Sequence, residues 1–273
     1  MTARYDPELP RLDANTPSSA RIYDYLLGGS YNFAADREAA QSMIAAFPAL
    51  PQVLRTARGF VRRAARYLAS EQDVTQFLDL GSGIPTVRNV HEIVQAARGG
   101  DNARVAYVDI DPVAVAHARR ILHGNHTATC VQADLRDPAA VSANPDIRAV
   151  IDFSRPVAIM LNSVLHFIAD DNEANSIVDQ YLAAVPAGSY LIICHHTSDS
   201  IDADEAEARE IYSRTTTPLI PRSKAQIARF FDGTTLVEPG IVLTPLWRPD
   251  PGEAPAQPGD TPLYFGYVGV GRK

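Results

Sequence analysis

Hydrophobic and polar positions divide the chain into a helical part followed by a part in which strands and helices alternate. From Ser18 to about Ser70, apolar residues recur every three or four positions, as in 39–47 and 53–68, which predicts amphipathic helices. Residues 1–16 are polar, contain prolines and show no period, which predicts an extended leader. We therefore expect 1–73 to form a leader and a helical cap or lid, and 74–273 to form the core.

Five arginines in the second predicted helix fall largely on the face opposite its apolar stripe. They are Arg55, Arg58, Arg62, Arg63 and Arg66. Such a run is typical of a solvated helix surface, and we prefer that interpretation to a nucleic-acid surface.

From Val74 onwards the pattern predicts parallel βαβ units. Five apolar runs read as strands: 74–80, 104–109, 128–133, 157–161 and 190–195. The intervening and following segments read as helices: 85–98, 111–122, 171–185 and an acidic helix at 202–214. Asp111 and Asp137 each precede a proline, which is a helix start with an N-cap acid. Ser223 and Gln226 form a capping box at the start of a further short helix.

The last two apolar segments, 236–247 and 262–270, are joined by a proline-rich loop at 248–261 with no crossover helix. Parallel strands require a crossover, so this pair is expected to be antiparallel. The predicted fold is a Rossmann-like, seven-stranded, mostly parallel α/β sheet with an antiparallel last strand and a helical N-terminal cap.

Composition narrows the range of partners. Thirty-two acidic against 25 basic residues give a net charge of −7, which disfavours a phosphate backbone as partner and favours a small molecule or a protein. The sequence has neither a membrane-length apolar run nor a signal-peptide pattern, so we expect a cytoplasmic protein. The two cysteines, Cys130 and Cys194, lie in strand-like runs, and we expect neither a disulfide nor a metal site.

The strongest local signal is a glycine turn between the first strand and the next helix. Gly81 and Gly83 permit a tight turn and close approach of a ligand to the backbone. The third position of a dinucleotide fingerprint is Thr86, and Asp109 follows Gly81 by 28 positions instead of the usual ~20. Asp79, just before the turn, fits a ligand with an ammonium and a sulfonium, such as S-adenosylmethionine (SAM), better than a pyrophosphate.

These motifs resemble those of the class I SAM-dependent methyltransferases. The resemblance rests on the segments 79–83, 108–112 and 132–135, and the strings 20–29 and 32–38 are similar to a bacterial methyltransferase family catalogued as a domain of unknown function. It implies SAM as cofactor and S-adenosylhomocysteine as product. The cofactor-binding residues that it implies are Asp79, Gly81 and Gly83 for the methionine moiety, Asp109 for the ribose, and Asp134 and Leu135 for the adenine. Ile110 and Asn162 are further candidates for cofactor binding.

The segment after the fourth strand resembles the part that lines the methyl-transfer position in small-molecule methyltransferases. His166 is the candidate general base there, and packing beside the cofactor is an equally good interpretation. His195 is a second candidate for the acceptor side, but because adjacent strand residues point to opposite faces, His195 and His196 are not expected to chelate a metal.

Gly28 and Gly29 lie between aromatic residues, which suggests the hinge of a lid over the cofactor. The candidate lid residues are Tyr23, Tyr25, Tyr31, Asn32 and Phe33. The alternative is a helix stop whose aromatics pack on the core. For the whole chain, the hypotheses are a SAM-dependent methyltransferase with a small-molecule acceptor, a non-catalytic SAM-binding sensor, and a nicotinamide or flavin oxidoreductase.

Overall fold

The computed structural model describes residues 13–84, 89–100, 102–199, 219–251 and 266–273. The predicted acidic helix at 202–214, most of the leader and most of the loop at 248–261 lie outside these residues.

The described residues form helices and strands in the predicted alternation. The α-helices are α1 Ser19–Leu26, α2 Ala34–Ala46, α3 Leu50–Glu71, α4 Val90–Arg98, α5 Pro112–Ile121, α6 Pro138–Ala143, α7 Pro145–Val150, α8 Asp171–Ala183 and α9 Lys224–Arg229. The strands are β1 Gln76–Leu80, β2 Arg104–Asp109, β3 Ala128–Gln132, β4 Ala158–Asn162, β5 Tyr190–His196, β6 Thr235–Leu236, β7 Val242–Leu243 and β8 Gly266–Arg272.

The strands form one mixed sheet in the order β3-β2-β1-β4-β5-β8-β6, with β7 also paired to β8. The first five strands are parallel, and β8 runs antiparallel to β5, β6 and β7, as the missing crossover predicts. Side chains from α3, α4 and α5 pack on one face, and side chains from α6 to α9 pack on the other. The carboxyl ends of the parallel strands therefore meet at one edge between two helical layers.

Local capping chemistry explains where several helices begin. The Asp111 carboxylate accepts hydrogen bonds from the backbone N–H groups of Val113 and Ala114, and Asp137 accepts from Ala140, as predicted. Ser223 and Gln226 form the predicted capping box of α9. Caps of this kind contribute about 1 kcal/mol each, so they position the segments that follow the strands.

Two boundaries differ from the prediction. In the described residues α4 begins not near residue 85 but at Val90, where the Glu92 carboxylate accepts a hydrogen bond from the Asn89 N–H at 2.8 Å. The single strand predicted at 236–247 is instead the two short strands β6 and β7, followed by a 3-10 turn at Thr244–Leu246. Pro239, Gly240 and Pro245 interrupt this stretch, since proline lacks the N–H that a ladder needs and Gly240 has a φ of 82°.

The first three helices form a cap with its own apolar cluster. Ile22 and Leu26 of α1 pack against Met43 of α2 and against Leu50 and Leu54 of α3. The second half of α3 joins the core of the sheet through Phe60, Tyr67 and Leu68. Helix α3 thus belongs to both parts and fixes the cap on the sheet. No helix in the described part of the chain is long and apolar enough to cross a membrane.

Candidate functional site

One large cavity, of about 550 Å³, lies at the carboxyl edge of the sheet beneath the cap. Its wall combines the turns after β1, β2, β3 and β4 with residues from the ends of β5 and β8 and from helices α1, α2 and α3. The edge predicted from the sequence to bind a nucleoside therefore opens directly into the cap.

The glycine turn after β1 has the backbone geometry that only glycine adopts without strain. Gly81 has a φ of 69° and Gly83 a φ of 65°. A Cβ on Gly81 would lie 2.3 Å from Cγ2 of Val164. The Asp109 carboxylate accepts hydrogen bonds from the Gly83 N–H at 2.6 Å and from the Asp111 N–H at 2.8 Å. Asp109 thus holds the turn in place, a role that its position after β2 did not reveal.

Asp79 is buried beside this turn with an exposed fraction of 5%. Its side chain lies on the sheet face toward α3, since Leu78 and Leu80 belong to the core of the other face. No hydrogen bond links its carboxylate to a residue in the described ranges, and it does not belong to the cavity wall proper. Burial raises the pKa of Asp79 to about 7 and the pKa of Asp109 to about 6. A cationic group bound beside either acid would favour its ionised form and lower its pKa again.

The residues predicted for the adenine lie together on the far side of the cavity. Ile110 is 60% exposed, an unusual exposure for a large apolar side chain, and lines the cavity with Asp134 and Leu135. Arg136 forms a forked ion pair with Asp134, and its hydrogen bonds lower the pKa of that acid. The carboxylate remains half-exposed at the cavity wall.

The chain turns sharply after β4. Ser163 has a φ of 56°, rare for a residue with a side chain, and a 3-10 turn at Leu165–Phe167 follows. Asn162, the last residue of β4, lines the cavity, and both its amide oxygen and its amide nitrogen are buried without a hydrogen-bond partner. Buried polar atoms are normally paired, so this amide is available to a ligand.

His166 stands on the 3-10 turn and faces the same cavity. It is 6% exposed, its Nδ1 is buried, and neither ring nitrogen hydrogen-bonds to a residue that the structure describes. Burial, and then the nearby His195, His196 and Arg222, lower its pKa well below 6.5. The imidazole is therefore neutral at physiological pH and has a lone pair to offer.

His195 lines the cavity but has both ring nitrogens occupied. Arg222 lies 3.0 Å from His195 Nε2, and because a guanidinium has no acceptor, Nε2 must accept. The opposite nitrogen, Nδ1, lies 2.7 Å from the His196 carbonyl and therefore donates. Burial lowers the pKa of His195 to about 3. His195 is therefore a neutral residue of the cavity wall whose ring is fixed by two hydrogen bonds. The ring nitrogens of His166 form no hydrogen bond with a described residue, so they can bind a ligand.

Arg222 is 1% exposed and was not singled out from the sequence. It donates to the carbonyl oxygens of Leu165 and Ile168, at 3.0 and 2.8 Å, and pairs with Asp171. Both carbonyls flank His166, so Arg222 fixes the turn that carries the histidine. An isolated arginine before a capping box gives no sequence signal for such a role.

The cap supplies the apolar end of the cavity. We call this part the cap chamber. It is lined by Ile22, Tyr23, Leu26, Met43, Phe47, Leu50, Val53, Leu54, Ala57 and Val61, with Phe167 and Leu219 from the core side. Of the five candidate lid residues, Tyr23 is the one that reaches it.

The structure places the other four candidate lid residues outside the cavity wall. The Tyr25 hydroxyl accepts a hydrogen bond from Gln41, and the Tyr31 ring lies 3.8 Å from that of His117. Asn32 donates to Asp24, and the Phe33 ring lies under Arg21. These four side chains fasten the loop between α1 and α2 to its surroundings. Opening of this segment stays a prediction.

The start of α1 is tied to the sheet edge by charge. Arg21 is buried and bonds the fully buried Asp36 at 2.8 Å. Ser18 donates to Asp111, and Arg21 approaches the same carboxylate at 3.5 Å. Asp111 therefore caps α5, as predicted, and also anchors the cap beside the cavity.

The arginines of α3 do not share one surface. Arg55 is exposed, as predicted, whereas Arg63 is buried and donates to the carbonyl oxygens of Trp247 and Thr244. Arg58 lines the cavity. The solvated-face prediction is therefore wrong for Arg58 and Arg63. Arg58 lies four residues after Leu54 and three before Val61, and this helical spacing is the signal that assigns it to the apolar stripe.

Both cysteines are free and buried. Within the residues described, no group of three or more histidine, cysteine, aspartate or glutamate side chains is arranged to hold a metal ion.

Comparison with known proteins places this site in a family. The family model described as S-adenosyl methyltransferase matches residues 6–273. A proposed methyltransferase from Thermobifida fusca YX is 39% identical, with 97% of each chain covered and a TM-score of 0.89. A DUF574 family protein from Streptomyces avermitilis MA-4680 is 37% identical, with 96% of this chain and 100% of that chain covered and a TM-score of 0.90.

PigF, solved with S-adenosylhomocysteine, shares the fold at 19% identity and a TM-score of 0.51, over 94% of this chain and 63% of its own. No curated protein is similar enough to count as a relative. The family match over nearly the whole chain and the two relatives above 35% identity agree with the site geometry. This chain belongs to the S-adenosyl methyltransferase family and is a SAM-dependent methyltransferase.

Proposed function

We propose that the enzyme methylates a small, largely apolar acceptor held in the cap chamber. The observation that carries this proposal is the continuity of one cavity from the glycine turn at Gly81 to the apolar wall at Leu50 and Leu54. Ligand pockets for small molecules are typically apolar with a few polar groups, as here. In this proposal residues 1–73 form the acceptor-binding cap and 74–273 the cofactor-binding core.

The polar groups at the sheet edge fit SAM. The unpartnered Asp79 carboxylate suits the ammonium, and Asp109 keeps acceptor capacity for the ribose hydroxyls after its two backbone bonds. Exposed Ile110 offers an apolar surface to the adenine, beside Asp134 and Leu135. The orphaned amide of Asn162 supplies a further donor and acceptor. When bound there, SAM supplies a methyl group activated by a positively charged sulfur.

His166 is the group that we assign to proton transfer when the acceptor atom is a hydroxyl. Its neutral imidazole accepts the hydroxyl proton as the oxygen takes the methyl group. Its low pKa makes it a weak base. Because the positive charge on sulfur disappears as the methyl leaves, His166 can become cationic without raising the net charge of the cavity. Alignment of the acceptor supplies the rest of the rate enhancement.

The proposal is tested with SAM carrying an isotopic label in its methyl group. The protein is incubated with this SAM and with separated low-molecular-weight, protein and nucleic-acid fractions of a bacterial extract. We expect the label to pass to an organic-soluble compound in the low-molecular-weight fraction. Label in protein or nucleic acid, or in no fraction, would contradict the proposal, and the last result would favour a SAM-binding sensor.

A matched pair of variants distinguishes an effect on acceptor binding in the cap chamber from an effect on cofactor binding at the sheet edge. Leu54→Trp fills the cap chamber, whereas Leu236→Trp places the same side chain at a position that is 40% exposed and outside the cavity wall. The larger ring takes up volume that the acceptor would occupy, so we expect Leu54→Trp to lower methyl transfer about tenfold or more, equivalent to about 1.4 kcal/mol of lost acceptor binding. Binding of S-adenosylhomocysteine should change by less than about threefold. Equal transfer by both variants would show that the acceptor binds elsewhere.

A further inference from the structure

Helix α3 carries one charged residue on the stripe that faces the cavity. The stripe consists of Leu50, Val53, Leu54, Ala57, Arg58 and Val61. These positions follow the three- and four-residue spacing of one helix face. Arg58 is half-buried, and no hydrogen bond or ion pair joins its guanidinium to any residue that the structure describes. A half-buried cation in an apolar wall is suited to bind an anionic group of a ligand.

The position of Arg58 along α3 decides which anion this is. The apolar chamber residues Leu54 and Leu50 lie about one and two turns nearer the start of the helix, in the cap cluster. Phe60 and Val61, just beyond Arg58, pack in the core of the sheet. Arg58 therefore stands where the chamber meets the end of β1, on the face of the sheet toward which Asp79 points. After burial, the positive charge of Arg58 is the largest influence on the pKa of Asp79, and it acts downward.

Two opposite charges thus lie on the same side of the sheet near the glycine turn, and neither forms a hydrogen bond or a close ion pair with a residue in the described ranges. The Asp79 side chain is buried, with an exposed fraction of 5%. An amino-acid zwitterion carries an ammonium and a carboxylate on one carbon, which is the pattern that such a pair matches. Charge-assisted hydrogen bonds to both ends fix its orientation as well as its position.

We propose that Arg58 of the cap binds the carboxylate of the methionine moiety of SAM, while Asp79 of the sheet binds its ammonium. The cofactor site is then shared between cap and core, because Arg58 lies within 1–73 and Asp79 within 74–273. The inference concerns the cofactor alone and does not rest on the identity of the acceptor.

The test measures binding of three ligands by calorimetry. SAM has both charged groups, its decarboxylated analogue keeps the ammonium and the sulfonium, and 5′-methylthioadenosine has neither amino-acid group. We expect the wild type to prefer SAM to the decarboxylated analogue by about 10- to 100-fold. Arg58→Gln should bind SAM about 10- to 100-fold more weakly than the wild type does, and it should bind the decarboxylated analogue as well as the wild type does. The preference for SAM should therefore disappear. Arg58→Lys should retain part of it, because lysine keeps the charge but not the fork.

Two further variants complete the design. Arg55→Gln, at an exposed position one turn earlier on α3, should leave all three affinities unchanged. Asp79→Asn should weaken SAM and the decarboxylated analogue alike and leave 5′-methylthioadenosine unchanged. Retained binding of the analogue by Arg58→Gln also shows that the variant is folded.

Three outcomes would overturn the proposal. They are equal binding of SAM and its decarboxylated analogue by the wild type, equal losses for both ligands in Arg58→Gln, and unchanged SAM affinity in Arg58→Gln. Methyl transfer is not measured, so failure here is distinguishable from failure of the proposed acceptor chamber.

Discussion

Replacing Asp79 by asparagine should stabilise the ligand-free protein while weakening its cofactor site. The folded protein holds this carboxyl with a pKa of about 7 because of burial, against 3.8 for the unperturbed group. A raised pKa contributes stability that is full below about pH 4 and is lost as the pH rises through 7. At 1.36 kcal/mol per pKa unit, the ionised form costs roughly 4 kcal/mol of folding free energy above pH 7. Asparagine has nearly the same shape and no charge.

The size of the effect is best measured as a change with pH. Between pH 5 and pH 8 the free energy of unfolding of the wild type should fall relative to that of Asp79→Asn by about 2–3 kcal/mol. The contribution of Asp109, whose pKa is also raised by burial, is present in both proteins and largely cancels. Urea unfolding at the two pH values gives the difference directly.

Asp134→Asn serves as the control. Hydrogen bonds from Arg136 lower the pKa of Asp134 in the folded protein, so this carboxyl group is ionised in both the folded and the unfolded protein from pH 5 to pH 8. The difference in the free energy of unfolding between Asp134→Asn and the wild type should therefore stay constant from pH 5 to pH 8. Saturating S-adenosylhomocysteine should stabilise Asp79→Asn less than the wild type. The ammonium group of the ligand pairs with the Asp79 carboxylate of the wild type, and asparagine offers it no negative charge. A difference between Asp79→Asn and the wild type that stays constant with pH would refute the reasoning.

Two other predictions concern the turn and the base. Gly81→Ala should destabilise the protein by about 3–5 kcal/mol and Gly83→Ala by about 1–2, because both have positive φ but a Cβ at Gly81 also meets Val164 at 2.3 Å while Gly83 has open space. Equal losses in urea unfolding would show that the turn relaxes. With an acceptor hydroxyl, His166→Asn should lower kcat about 100-fold at unchanged S-adenosylhomocysteine affinity. Because burial holds the pKa of His166 well below 6.5, wild-type kcat should show no inflection from it between pH 7 and pH 9, and one there would contradict the assignment.

Local signals predicted most of the core. Strand β2 has the predicted bounds, and Asp111, Asp137 and Ser223 cap the helices that follow them, since capping depends on residues a few positions apart. Apolar runs identified β1, β3, β4 and β5 for the same reason. The break between β6 and β7 was missed because the apolar pattern continues through it while proline and glycine prevent pairing.

The site was less predictable because it depends on contacts between distant segments. The strand-end acids Asp109 and Asp134 reach the cavity through parallel topology, which the sequence pattern does show. Arg58 influences Asp79, and Arg222 bonds the turn at Leu165–Phe167, although each pair is distant in the chain. In the aromatic segment 23–33, Tyr23 lines the cavity while the other candidate side chains pack outside it. The composition of a short segment does not determine which of its side chains turn inward.

The order of the wall-forming segments along the chain has an evolutionary consequence. The helical wall of the cap chamber comes from one contiguous stretch, 22–61, encoded before the first strand, whereas the cofactor edge is distributed over the turns of the sheet. Under the proposed function, the acceptor range can diverge through substitutions in this single block while the residues of the cofactor edge stay the same. If the cap chamber binds the acceptor as proposed, exchange of that block between relatives, extended to include the anchoring Ser18 and Arg21, should transfer the acceptor selectivity.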